Sequence, residues 1–172
     1  LVKNMIKIET GALTIKPSEG MIKGNEQENS LKMDSLILLF NNKEEVTNIR
    51  KRIHANAHIY FNEISQRVNI TGLNIQDEKD LFNSLRFNHY NDSNYTDGKK
   101  IFISQTIANK LGTGLNEACM LVTQTVQGSI NMNDYKIAGI YKDISQWSNK
   151  IVYMPLKHAK KLTNAKYATN IL

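Results

Sequence analysis

TVQGSINMNDYKIAGIY, Thr125 to Tyr141, reads as a strand, a turn and a second strand. Gly128 suits the turn, where a positive φ is needed. Gly139 interrupts the second strand, and a glycine there marks a bulge or a close backbone approach. The stretch holds no nucleophile, no metal-ligand cluster and no phosphate loop. It places the chain among sheet-containing domains and raises the question of what such a hairpin serves.

The flanks extend the pattern. CMLVTQT (119–125) and DYKIAGIY (134–141) are the paired strands of the hairpin. Upstream, KKIFIS (99–104) is a strand. Ser104 then caps the helix SQTIANKLG, with Ile107, Ala108 and Leu111 inward and Gly112 suited to the left-handed position after its end. Downstream, KIVYM (150–154) is a strand, and Pro155 fits the first helical position of PLKHAKKL, with Leu156, Ala159 and Leu162 inward.

Farther upstream, GALTI (11–15) is a weakly alternating strand. A helix is expected from the N-cap Asn42, with Glu44 and Glu45 in its first turn, Val46, Ile49 and Ile53 as its buried stripe, and Arg50, Lys51 and Arg52 in its last turn. AHIYF (57–61) and RVNITGL (67–73) are strands. QDEKDLFNSLRF (76–87) is a short helix, FNHYNDSNYTDG (87–98) a loop, and YATNIL (167–172) the entry to a last strand. The class is therefore α+β, strands joined by short helices.

Bulk properties narrow the function. The chain has 172 residues, 41% of them hydrophobic, enough for one domain with a real core. The formal charge of +6 favours acidic partners, but the excess is 18 scattered Lys against 4 Arg, beside 21 Asn. Nucleic-acid readers cluster Arg and interleave aromatics, so no nucleic-acid partner is expected. Cys119 is the single cysteine, so no internal disulfide forms. No window approaches the ~20 apolar residues of a membrane span.

Candidate chemistry dissolves on inspection. His54 and His58 lie four apart, a metal-binding spacing on a helix, yet no carboxylate or cysteine stands nearby at ligand spacing. DSNYTDG (92–98) fails as a calcium loop, because its sixth and twelfth positions are Asp97 and Ile103. The acids of DEKD (77–80) match the positive end of a helix dipole. Cys119 has no adjacent base and serves as an apolar filler. No catalytic residue, metal site or cofactor is expected, and the chain is read as a non-enzyme.

The succession Leu111-Gly112, the Gly128 hairpin, the strand Tyr135 to Tyr141 and Pro155 to Leu162 resembles the extracytoplasmic (MacB-like) core domain of bacterial ABC transporter permeases. The membrane part of that family is FtsX-like, and the family includes lipoprotein-releasing permeases. The match is good over 100–163 and loose over 1–60. Asn116-Glu117 stands where the family has Gly-Asp, a turn that Asn tolerates. The compact turn Val126 to Asp134 is too short for the protruding loop with which lipoprotein-releasing members capture a carrier.

The resemblance implies one extracytoplasmic domain fragment over 1–172 in two lobes. Residues 1–10 would end a membrane helix, 11–62 with 167–172 would form a strand-helix-strand lobe, and 63–166 a β-rich lobe. It implies a cytoplasmic ATPase subunit as partner through the membrane part. It also implies location on the periplasmic side of the inner membrane, and transmission of ATP-driven motion to a lipoprotein, a lipid-like substrate or a partner protein. Ser129, Asn131 and Asn133 are candidate partner contacts on the hairpin, and Gly112, Gly128, Gly139 and Pro155 candidate structural positions. The alternatives are a small-ligand or enzymatic domain with a pocket between lobes, and force transmission to a cell-wall hydrolase. An unpaired edge at YATNIL would promote self-association of the fragment.

Overall fold

A computed structural model of the chain describes residues 38, 49–90, 98–146, 148–165 and 170–171. Among these, strands and short helices alternate. Strand β1 (Lys51–Phe61) turns at Asn62 and Glu63 into β2 (Ile64–Leu73), and Asn62 takes a left-handed φ of 52°. A 3-10 turn (Ile75–Glu78) leads into α1 (Lys79–Ser84), followed by β3 (Phe87–Tyr90). Then come β4 (Lys100–Ser104), α2 (Gln105–Leu111), β5 (Ala118–Gln124) and β6 (Ile130–Tyr141). A second 3-10 turn (Ser148–Lys150) precedes β7 (Ile151–Pro155), α3 (Leu156–Thr163) and β8 (Asn170–Ile171).

Six strands close on themselves in the order β1-β2-β7-β4-β6-β5 and back to β1. The β2–β7 and β4–β6 pairs are parallel and the rest antiparallel. Closure leaves the ring no free edge, the usual remedy for exposed strand donors and acceptors. β8 joins β1 at Lys51 and Arg52, and β3 joins β6.

Alternation along the strands sorts two cores. Ile53, Ala57 and Ile59 of β1, Val68 and Ile70 of β2, Ile101 and Ile103 of β4, Leu121 of β5, Ile137 of β6 and Val152 and Met154 of β7 share the main core with α2 and α3. Phe102, Tyr141, Tyr153 and Leu73 point the other way and meet Leu81 and Leu85. That second core is aromatic. Phe82 and Phe87 pack on Phe102 at centroid distances of 5.1 and 5.7 Å, and Tyr141 packs on Tyr153 at 5.6 Å. The buried Tyr141 hydroxyl lies 2.7 Å from the Ile151 carbonyl and 3.0 Å from that of Ser148.

Two glycines sit where helix or rings come closest. A Cβ on Gly72 would fall 2.1 Å from the Ala159 Cβ, so α3 rests directly on the backbone of β2. Gly139 follows a register shift between β4 and β6, and its Cβ would stand 3.0 Å from the rings of both Phe87 and Phe102.

Several local expectations change. The helix drawn from Asn42 to Ile53 does not reach its end: Arg50 is non-helical and Lys51 to Ile53 belong to β1, while its start lies outside the described residues. The inward residues 53, 57 and 59 keep a period of two, which a helix cannot bury. The helix over 76–87 is α-helical only over Lys79–Ser84, and the supposed loop begins with strand β3. Pro155 ends β7 and caps α3 at φ −58° and ψ 137°, one residue before the helix. The boundary drawn at 62/63 falls in the turn of the β1–β2 hairpin, whose ten residue pairs put both sides in one sheet. A division into two lobes there finds no support among the described residues. GALTI and the segment 1–10 lie outside them.

Gly72→Ala forces a methyl into Ala159, and overpacking of this kind costs about 1–3 kcal/mol. For a chain of this size the melting temperature should fall by about 2–4 °C per kcal/mol. Adding Ala159→Gly should restore part of the loss, because it reopens the contact; thermal unfolding of the single and double variants checks this. Gly139→Val should likewise lower the melting temperature by several degrees, and an unchanged curve would show that the rings yield freely.

Candidate functional site

The hairpin β5–β6 has two unlike faces. On its inner side, Asn131 donates to the carbonyls of Lys161 (3.2 Å) and Leu162 (2.9 Å). The Val126 amide donates to the Thr163 carbonyl at 3.0 Å, and the Gln127 and Asn164 side chains bond at 2.8 Å. Asn164 adopts a left-handed φ of 53°, and both its amide and that of Ala165 reach the Lys160 carbonyl. The last four carbonyls of a helix have no partner within it. Here the hairpin and the cap supply one to each of residues 160 to 163.

The hairpin loop is itself fixed. The Thr125 amide donates to the Ser129 carbonyl at 2.7 Å, the Ser129 amide to the Thr125 hydroxyl at 3.1 Å, and Gly128 sits at φ 90°. Asn133 accepts from the Lys99 ammonium at 3.0 Å. Of the three contact residues drawn from sequence, Asn131 and Asn133 are thus bonded within the domain, and Ser129 is held by the turn.

The outer side is apolar. Ile130 is 73% exposed, Met132 55% and Val126 56%. Met132 pairs across the strands with Val122, which pairs with His58 of β1. Sequence reading passed over Ile130 and Met132, although their spacing of two within INMND already placed them on one face opposite the asparagines.

Other candidates take structural places. His54 and His58 project from one strand, about 13 Å apart by strand geometry. His54 bonds to Thr71 at 3.2 Å, and His58 stacks near Tyr60. Among the described residues, no three His, Cys, Asp or Glu side chains gather as metal ligands. Cys119 is buried, and burial pushes its thiol above the ordinary 9.0. A raised thiol is a poor nucleophile at neutral pH.

The acids of DEKD do more than face a helix dipole. Glu78 is 1% exposed and grips Arg52 of β1 through two bonds, Nε at 2.6 Å and Nη2 at 2.8 Å. Arg50 adds bonds to Glu78 at 3.3 Å and Asp80 at 3.4 Å. This network fastens the approach to α1 onto β1. Gly112 closes α2 at φ 66°, and Asn116 turns the following chain at φ 70°.

No protein-family model matches the sequence, and no curated protein matches it. The fold has solved counterparts. It is similar to the extracellular domain of the noncanonical ABC-type transporter YknZ from Gram-positive bacteria, with a TM-score of 0.56 and 15% identity over 92% of this chain and 81% of that one. It is similar also to the periplasmic region of MacB from Actinobacillus actinomycetemcomitans, with a TM-score of 0.55 and 11% identity over 81% of this chain. There this chain spans 62% of the other's length. At these identities the likeness is one of fold. Among the described residues, no helix is long and apolar enough to cross a membrane.

Removing one partner of a buried ion pair strands the other charge, at about 3–5 kcal/mol. Arg52→Met and Glu78→Leu should each destabilise the protein on that scale. The double variant should lie nearer the parent than either, as denaturant unfolding of all four proteins would record.

Proposed function

We propose that this chain is an extracytoplasmic domain of a bacterial ABC transporter permease. The observation that carries the reading is the shared fold over 92% of this chain and 81% of the YknZ extracellular domain. The sequence resemblance over Leu111 to Leu162 supports it independently, because it rests on the order of motifs and not on the fold. In this reading a separate cytoplasmic subunit hydrolyses ATP, membrane helices carry the motion, and this domain delivers it outside the membrane.

The hairpin supplies a contact for that delivery. Its apolar outer face, Ile130 and Met132, is presented by a loop bonded to the end of α3. A partner pressing on this face meets a backed surface and not a free loop. A lipoprotein is one candidate partner, and the short turn argues for a partner that lies flat on the sheet.

A cysteine placed at Ser129, in the parent protein expressed in its own cells, tests the location. A membrane-impermeant maleimide should label it in intact cells to the extent seen after lysis, and labelling only after lysis would overturn the proposal. The buried Cys119 provides little background. Met132→Asp should leave folding intact and lower transport-dependent ATP hydrolysis severalfold, the sign that this face and not the fold has been lost.

A further inference from the structure

The arm of the β5–β6 hairpin has one paired edge and one open edge, and its bonding pattern fixes which is which. The Thr125 amide donates to the Ser129 carbonyl, and the Ile137 amide to the Glu117 carbonyl. The odd-numbered residues of β6 therefore exchange bonds with β5, and the even-numbered residues turn their N–H and C=O groups the other way. Lys136 uses its amide there, donating to the Lys99 carbonyl at 2.7 Å where β4 begins. The ring closes from that point on. Before it, over 130–134, β6 runs past β4, and among the described residues no strand pairs its second edge.

The one bond found on that edge is makeshift. The Met132 amide donates at 2.9 Å to Oδ1 of Asn131, its own chain neighbour. Asn131 holds the end of α3 through Nδ2, so Oδ1 can release the amide without freeing the helix. The side chains along the edge face solvent: Ile130 is 73% exposed, Met132 55%, and Asp134 is exposed too. Proteins ordinarily blunt an open edge with Lys, Pro or a bulge. None stands between 130 and 134, and the one charge, Asp134, lies at the end of the stretch. Backbone groups that repeat about every 7 Å along a strand are matched by another extended chain.

We propose that this edge pairs with the same edge of a second copy of the chain, antiparallel across a two-fold axis at Met132. Such a contact is self-complementary, because each edge brings its own donors and acceptors. In this register Met132 stands opposite the partner's Met132, and Ile130 opposite the partner's Asp134. Facing residues exchange N–H···O bonds in both directions. Ile130 and Met132 of both copies then join in one apolar outer face, while the Asp134 carboxylates stay at opposite ends. An axis at Asp134 would set the two carboxylates side by side, which is destabilising. A foreign strand could satisfy the same backbone, but the chain's own residues already place apolar groups at the axis and like charges apart. The inference rests on the strand edge and does not depend on the transporter reading.

Sedimentation equilibrium of the 172-residue chain, from micromolar to millimolar concentration, should show a reversible dimer. Amide hydrogen exchange at Ile130 and Asp134 should slow as the concentration rises. Two variants then decide the geometry. M132K and M132E each set like charges opposite one another at the axis, and each alone should weaken association about tenfold. An equimolar mixture of the two should regain the parent's association, because opposite charges then meet. Residue 132 is exposed, and amide spectra check that both variants keep the parental fold. A parent that stays monomeric throughout leaves the edge to a foreign strand and overturns the proposal. So does a dimer in which exchange at Ile130 and Asp134 is unchanged, that neither charge weakens, or that the mixture fails to restore, since its contact lies elsewhere.

Discussion

Helix α3 lies against the strand ring because residue 72 has no side chain. With the Cβ position of Gly72 only 2.1 Å from that of Ala159, any larger residue would lift the helix off β2. Much follows from that seating. It places Leu162, fully buried, in the main core beside Ile53 and Val68. It brings the carbonyls of residues 161 to 163 within reach of the hairpin, which caps them. It also lays His158 edge-on against Tyr135, on the face of β6 that carries Asn133. One missing methyl thus fixes the helix, the helix fixes the hairpin, and the hairpin fixes which side of itself faces solvent.

The outer layer rests on a different device. Strand β6 runs on past its pairing with β5 and serves both cores, and the register shift before Gly139 changes which residues face which. Ile137 and Ile140 stay in the main core, while Ala138 and Tyr141 join the aromatic one. The absence of a Cβ at 139 then lets Phe87 and Phe102 close over the backbone. The Arg52–Glu78 pair secures the chain leading into this layer. A buried pair adds little net stability over apolar residues, but it penalises any arrangement that separates its members. It therefore specifies where the 3-10 turn and α1 dock more than it strengthens them.

What was legible in the sequence was local. Ser104 accepts from the Ile107 amide at 3.2 Å and Gly112 ends α2 in the left-handed conformation, both set by residues within a turn of each other. The strands around the hairpin and the helix after Pro155 had the same advantage. The failures were non-local. Arg50, Lys51 and Arg52 looked like the cationic end of a helix, but the partner of Arg52 lies 26 residues away. Phe87 to Tyr90 looked like loop because the edge of β6 that recruits it lies far downstream, as in the pairing of Tyr90 with Gly139, 49 residues on. Nothing near Gly72 announces that a helix will rest on it. Closure of β1 against β5 joins segments more than sixty residues apart, such as Ile59 and Leu121, and no local pattern encodes it. On the hairpin, the polar residues drew attention as contacts, whereas the pleat turns them inward to cap α3 and leaves the apolar ones outside.

That inversion bears on how the hairpin works. A loop meant to capture a partner by folding around it keeps its polar groups free and its backbone mobile. Here Asn131 is committed to two carbonyls, Asn133 to an ammonium, and Thr125 and Ser129 to each other. The entropy of ordering the loop has been lost at folding, so a partner that docks on Ile130 and Met132 does not bear it again. A surface prepared in this way gives up adaptability and gains stiffness. Stiffness is what a domain needs if a displacement at one end of α3 is to arrive undiminished at the hairpin, since a compliant link would absorb it. In the proposed transporter role, the exposed apolar face and the saturated polar face would be two parts of one requirement: the first to meet a partner, and the second to keep the first in place under load.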